Sequence, residues 1–261
     1  MPVILYEVKD RIAYVTLNRP RALNAINSEV VGAWNETWNR FKNDDEAWAA
    51  ILTGAGDRAF SAGADLKELD LRHDEGGKRT RLGSQIGPLR PTEEIGVMKP
   101  IIAAINGYAL GGGMVFAMDC DIRVASERAI FGMPEVELGM VPGWWASVRT
   151  PSHMSLGKAL EIMLTGTKFD AREAERIGLV NFVVPHDQLM AKAEEIAHKI
   201  NGNGPLAVMG IKEAIYRSLS SPLPEAARLE DILSVIAGES EDVKEGVKAF
   251  LENRKPLYEG R

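Results

Sequence analysis

Two short strings of small residues have the composition needed to bring a ligand against bare backbone. The first, Ala59-Phe60-Ser61-Ala62-Gly63-Ala64-Asp65-Leu66-Lys67-Glu68, runs from a strand-like segment into a helix predicted to start near Asp65. Small side chains allow close approach, and N–H groups near a helix start have no intrahelical acceptor, so such a turn suits an anion or a developing oxyanion. Close structural packing alone would select the same residues. The second string, Asn106-Gly107-Tyr108-Ala109-Leu110-Gly111-Gly112-Gly113-Met114, is more demanding. Each glycine at a helical position costs about 1 kcal/mol relative to alanine, and a tight backbone approach is the simplest compensation. No Gly-Lys-Ser/Thr ending follows, and the spacing is not G-x-G-x-x-G, so neither a P-loop nor a dinucleotide fingerprint is present. His73 and His153 have no carboxylate or cysteine at ligand spacing, so neither a metal site nor a catalytic triad is expected.

Turns that carry chemistry must be held by a scaffold, and the pattern is α/β. Val3 to Val8 and Ile12 to Leu17 read as a hairpin turning through Lys9-Asp10. Asn27-Ser28 can cap a helix from Glu29 to Lys42, where Val30, Val31, Trp34, Trp38 and Phe41 recur at helical spacing. Buried-strand runs at 49–53 and 101–105 each end in a glycine-rich turn, the second leading to a helix through Met118, and a third strand spans Ile122 to Ala125. Strand, turn and helix therefore recur, with chemistry expected on the turns. The segment from Asp70 to Pro91, rich in charge and glycine, reads either as a flap beside a site or as a plain solvated excursion. Helical patterns dominate from Pro151: Ser155 to Leu164, Ala171 to Ile177, Asp187 to Ile200, and a tail from Pro205 to Leu251 whose apolar positions need a partner surface.

Composition narrows the partners. The 261 residues, 45% of them hydrophobic, are enough for an ordinary buried core. A net charge of −6 and a pI near 5.4 give no cationic footprint for nucleic acid or an anionic membrane. The single cysteine, Cys120, excludes an internal disulfide and suits a reducing compartment. An N-terminus charged by Glu7 lacks a signal peptide's pattern, and no 18-residue apolar run suggests a membrane span, so a cytoplasmic protein is expected.

The two strings, followed in order by CDIRVAS, FGMPEVELGMVPG and TGTKFDAREAERIGLVNFVV, resemble the enoyl-CoA hydratase/isomerase (crotonase-like) superfamily. The opening VTLNRPRALNAIN extends the resemblance from about Ile12 to Val184, with an echo in AFLENRKPLYEG. The resemblance implies an α/β superhelix of ββα units over residues 1–200 and a helical C-terminal trimerisation region over 201–261, assembled as a homotrimer or a homohexamer (a dimer of trimers). It implies acyl-coenzyme A thioester as substrate, with no separate cofactor and no metal. The backbone N–H groups of Ala64 and Gly112 fall at the two oxyanion-hole positions, where preorganised donors meet the charge of an enolate-like thioester. Ala22 and Ala62 fall at positions that hold the adenine end of coenzyme A, and Lys67 where a lysine meets phosphate. A C-terminal lysine used by relatives appears here as Asn253, followed by Arg254 and Lys255.

The departures bear on the reaction. Relatives with two catalytic glutamates place one two residues after the triple glycine and one in a downstream Pro-Glu pair; here these are Val115 and Glu135. Alone, Glu135 would read as a solvated loop carboxylate; with the resemblance it is the single catalytic residue. Two chemistries survive: hydration of a 2-enoyl-CoA through one glutamate, or Δ3-Δ2 isomerisation by shuttling a proton between α- and γ-carbons. Glu93, Glu94 and Glu137 are alternatives for the missing carboxylate, and a catalytically silent acyl-CoA-binding protein is a third reading. Gly143-Trp144-Trp145 stands where relatives carry small residues, so Met114, Val115, Gly143, Trp144 and Trp145 are candidate acyl-pocket residues for a bulky or aromatic acyl group. Met133 and Met140 lie in the same motifs, and core packing competes with pocket lining for all of these large side chains.

Overall fold

The first hairpin forms as β1 (Ile4–Lys9) against β2 (Ile12–Leu17), antiparallel, with Lys9 opposite Ile12. Its two-residue loop is Asp10-Arg11, both at positive φ (51° and 62°), the conformation whose twist matches flanking strands. The turn thus lies one residue beyond the expected Lys9-Asp10, because Lys9 completes the ladder. The computed structural model describes residues 1–68 and 89–261. Of the expected Asp70 to Pro91 segment, residues up to 88 lie outside the described residues.

From β2 onward the first sheet grows by parallel addition of β3 (Ala49–Gly54), β5 (Ile101–Ile105), β7 (Ile122–Ser126) and β10 (Phe182–Val184). Both of its faces are covered. Ala50, Leu52, Ala103 and Ile105 join the main core, while Ile51, Ile102, Ala104 and Val124 face Leu189, Ala193 and Ala197. Double-sided burial explains why these strands read as continuous apolar runs rather than alternations.

A second sheet has the order β4 (Ala59–Ser61), β6 (Tyr108–Leu110), β8 (Ile130–Gly132) and β9 (Phe169–Asp170). The chain steps from β3 to β4, from β5 to β6 and from β7 to β8, and β4, β6 and β8 lie side by side and parallel. These are the expected ββα units. Three functional strings therefore leave the same ends of adjacent strands.

Nine named helices complete the described fold: α1 (Ser28–Lys42), α2 (Gly112–Met118), α3 (Ala146–His153), α4 (Leu156–Thr165), α5 (Ala171–Arg176), α6 (Leu189–Asn201), α7 (Pro205–Ser218), α8 (Leu223–Gly238) and α9 (Glu241–Leu251). Asn27 caps α1, its side chain accepting from the Val30 N–H at 3.0 Å, as the sequence suggested. The expected 187 start for α6 is replaced by a 3₁₀ turn over His186–Gln188, with the helix beginning at Leu189. Helix α7 is tied to the sheets by Lys212, which donates to Asp121 Oδ2 (2.8 Å) and the Lys99 carbonyl (3.0 Å), and by Tyr216, which donates to Asp121 Oδ1 (2.9 Å). No helix among the described residues is long and apolar enough to cross a membrane.

Candidate active site

Strand β4 delivers Gly63 and Ala64, β6 delivers Gly111 and Gly112, and β8 delivers Glu135. Ala64 bridges Ile26 in parallel fashion: the Ile26 N–H donates to Gly63 O and the Asp65 N–H to Ile26 O. Both bonds belong to Ala64's neighbours, so its own N–H faces away from Ile26. Gly112 is the first residue of α2 and has no intrahelical acceptor for its N–H. Among the described residues, neither N–H donates a hydrogen bond. The two turns touch: a Cβ built on Gly63 would lie 2.6 Å from Leu110 O and 3.2 Å from Gly112 N.

Glu135 lies in the 3₁₀ turn Pro134–Leu138 and reaches back to the glycine turn. Gly111 has φ 51° and ψ −123°, a conformation closed to residues with a side chain, and a Cβ there would overlap Glu135 Oε1. Glu135 Oε2 is buried without a hydrogen-bond partner. Burial pushes this carboxyl above the usual carboxylate range, with only its own backbone N–H opposing. The site therefore combines two unengaged backbone donors with a proton-accepting carboxylate poised above its ordinary pKa.

Val115 sits one helical turn beyond Gly111, 4% exposed, so the position is apolar and closed. The alternative carboxylates are engaged elsewhere or exposed. Glu93 pairs with Arg90 (2.8 Å) and Arg149 (3.3 Å), Glu94 accepts the Arg90 backbone N–H (2.8 Å), and Glu137 is exposed beside Gly166.

The candidate acyl-pocket residues divide. Met114 is fully buried in the main core, and Met133 likewise; Met140 and Gly143 are exposed. Trp144 lies against the Gly112 turn: a Cβ on Gly112 would overlap its ring and sit 3.1 Å from Ile26 Cδ1. Trp144 also stacks on Phe116 with centroids 6.3 Å apart, and Phe116 stacks on Trp34 at 3.6 Å. Trp145 turns outward, 53% exposed, with the Arg90 guanidinium 4.8 Å from its ring centroid. Both tryptophans have positive φ (52° and 63°), a conformation that costs bulky residues on the order of 1 kcal/mol or more each.

The first loop and the first small-residue string also meet. The Ala62 N–H donates to Leu23 O at 2.9 Å, placing Ala62 against the loop that carries Ala22, while Lys67 is exposed on the helical turn that follows Asp65. Asn24 underlies this junction: its Nδ2 donates to Ala59 O (2.8 Å) and Ala55 O (3.1 Å), and its Oδ1 accepts from the Arg19 N–H (2.9 Å). Arg254 is held by Glu245 and Glu252. His73 lies outside the described residues; His153 is half-buried, its pKa pushed down to about 4 by burial, then by Arg123 and Arg90. No group of three or more potential ligands could hold a metal among the described residues.

Gly111, Asn24, Phe116 and the Arg90–Asp119 ion pair (3.0 Å) were not singled out from sequence. Only Gly111 carried a signal, as the first of three consecutive glycines.

The model of the family described as "Enoyl-CoA hydratase/isomerase" matches residues 7–261. The short-chain-enoyl-CoA hydratase of Clostridium acetobutylicum is 42% identical over 253 residues, covering 97% of this chain and 95% of that protein. The (E)-benzylidenesuccinyl-CoA hydratase of Thauera aromatica is 38% identical over 261 residues, with both chains fully covered. A crystal structure of enoyl-CoA hydratase from Bacillus anthracis superposes with a TM-score of 0.89 at 35% identity, covering 99% of this chain and 100% of that one. With two sheets wound in ββα units, helices at the C-terminus and likeness along its whole length, the chain belongs to the enoyl-CoA hydratase/isomerase family.

Proposed function

We propose that this protein reversibly hydrates a 2-enoyl-CoA, using Glu135 as its single catalytic residue and the N–H groups of Ala64 and Gly112 as the oxyanion hole. The observation that carries this reading is the Glu135 carboxylate lying against Gly111, beside two backbone donors with no acceptor among the described residues. In the forward direction, ionised Glu135 takes a proton from water as the water oxygen bonds to C3. The charge that passes to the thioester oxygen is met by the two N–H groups, and Glu135 returns its proton to C2. One carboxylate thus serves in turn as base and acid.

Isomerisation of a 3-enoyl-CoA by the same groups is the second reading, favoured by the apolar Val115 in place of a second acid. Coenzyme A would lie along Ala22 and Ala62, with Lys67 toward its phosphates. The acyl end would meet Val115, Gly143, Trp144 and Trp145, with Met114 behind them. The relative that acts on benzylidenesuccinyl-CoA makes an aromatic acyl group a reasonable member of the test panel.

The organisation goes with the chemistry: a core over 1–200 that carries the site and a 201–261 region that assembles the protein into a trimer or a dimer of trimers. We assign it to the cytoplasm on its single buried cysteine. The deciding experiment incubates pure protein with panels of 2-enoyl- and 3-enoyl-CoA in H₂¹⁸O. Labelled 3-hydroxyacyl product, lost on Glu135→Gln, is expected. Unlabelled double-bond migration would replace hydration by isomerisation, and binding without turnover would leave only the silent acyl-CoA-binding reading.

A further inference from the structure

The shape of the site is held from an unexpected direction. Helix α2 has Gly112 at its first position and Asp119 as its C-terminal cap. Asp119 is 4% exposed, and its Oδ1 takes both Arg149 Nη1 (2.7 Å) and Arg90 Nη2 (3.0 Å). Glu93 Oε1 closes the ring by pairing with the same two guanidiniums, at 2.8 Å from Arg90 and 3.3 Å from Arg149. Arg149 belongs to α3, which opens directly after the left-handed Trp144-Trp145 pair. Arg90 is 2% exposed; its Nε and Nη1 make no hydrogen bond, and its guanidinium lies over the Trp145 ring. Helix α3 packs on α2, with Thr150 beside Met118. The far end of the oxyanion helix is thereby bolted to the element that carries Trp144, whose ring covers Gly112.

We propose that Asp119 is a positioning residue: through Arg149 and Arg90 it holds Trp144 against the Gly112 turn and so sets how bulky an acyl group the site admits. This rests on the reading of Gly112 as a donor to the thioester oxygen, because only then does the Trp144 ring stand beside the reacting carbons. With the ion pairs in place, the ring is a fixed wall. With Asp119 neutral and short of an acceptor, α3 loses its registration on α2, the strained tryptophan pair relaxes, and the wall recedes.

Saturated butyryl-CoA and decanoyl-CoA, which bind without reacting, separate this proposal from the reaction itself. Calorimetric titration should show that Asp119→Asn shifts the decanoyl-to-butyryl affinity ratio about tenfold toward the longer chain. Trp144→Ala should produce a similar shift, and the double variant should go no further than either alone. Arg149→Lys, which keeps a cation for Asp119, should stay near the starting ratio. If Asp119→Asn does not fold, Asp119→Leu combined with Arg149→Leu removes one charge of each sign while Arg90 keeps Glu93, and it should show the same shift. A folded variant whose ratio stays within about twofold of the parent, or effects that add fully with Trp144→Ala, would overturn the proposal. No affinity of the unaltered protein for either thioester would instead overturn the acyl-CoA reading on which it stands.

Discussion

Glu135 carries a carboxylate oxygen that is buried and unbonded, in a protein where most buried polar atoms find partners. Such a group is costly when charged, and burial raises its pKa. Two consequences follow for the same variant. If, as proposed, ionised Glu135 begins the hydration, kcat/KM should fall on the acid side along a limb lying above the ordinary glutamate value of about 4.3. Glu135→Gln should lose about 10²- to 10⁴-fold in kcat, measured on whichever enoyl-CoA is turned over. For stability the sign reverses. A carboxyl whose folded pKa is raised contributes stability that is present below its unfolded value and lost as pH rises through the folded one. Glu135→Gln should therefore melt about 1–3 °C higher than the parent at pH 8, with the gap closing toward pH 4 in calorimetric scans. Gly112→Ala tests the neighbouring donor. Its Cβ overlaps Trp144, so either the ring or the N–H must move, and a loss of about 10²- to 10³-fold in kcat is expected with the fold retained in circular dichroism.

At the scale of elements, the parallel strands and their glycine turns were legible because doubly buried strands spell continuous apolar runs, as in Ile101 to Ile105. The hairpin turn was legible only to within one residue, at Lys9-Asp10 instead of Asp10-Arg11, and the left-handed Trp144-Trp145 pair not at all, since no glycine or asparagine marks either. Trp144 and Trp145 were visible as bulky residues, but their opposite fates, one on the Gly112 turn and one over Arg90, depend on packing between α2 and α3. Asn24 shows the same limit from the polar side. Nothing local distinguishes it, yet 2% exposed and at φ 54° it links the first loop to β4, the strand that delivers Ala64. Asn24→Ala leaves the Ala59 carbonyl without that donor and should cost about 1–3 kcal/mol, read in urea unfolding. If coenzyme A lies along Ala62 as proposed, it should also weaken coenzyme A affinity, because Ala62 is held against Leu23 at the same junction.

For the whole molecule, the apolar positions of the C-terminal helices were legible as a surface in need of a partner, but which surface was not. Helix α7 exposes Ile211, Ile215 and Leu219 at four-residue spacing, and α9 exposes Val243, Val247, Phe250 and Leu251 along one face. On an amphipathic helix that apolar stripe is ordinarily the buried one. The single chain exposes 14264 Å², whereas a folded monomer of 28.6 kDa exposes about 11,300 Å² by surface scaling. The excess, about 3,000 Å², has the size of an obligate subunit interface. Replacing Phe250, 81% exposed, by lysine would cost the isolated chain almost nothing, since a solvated side chain has little packing to lose. In an assembled interface it would bury an unpaired charge. Light scattering after size exclusion should therefore give a trimeric or hexameric mass for the parent and a lower mass for Phe250→Lys. A parent eluting as a monomer at micromolar concentration would refute the assembly.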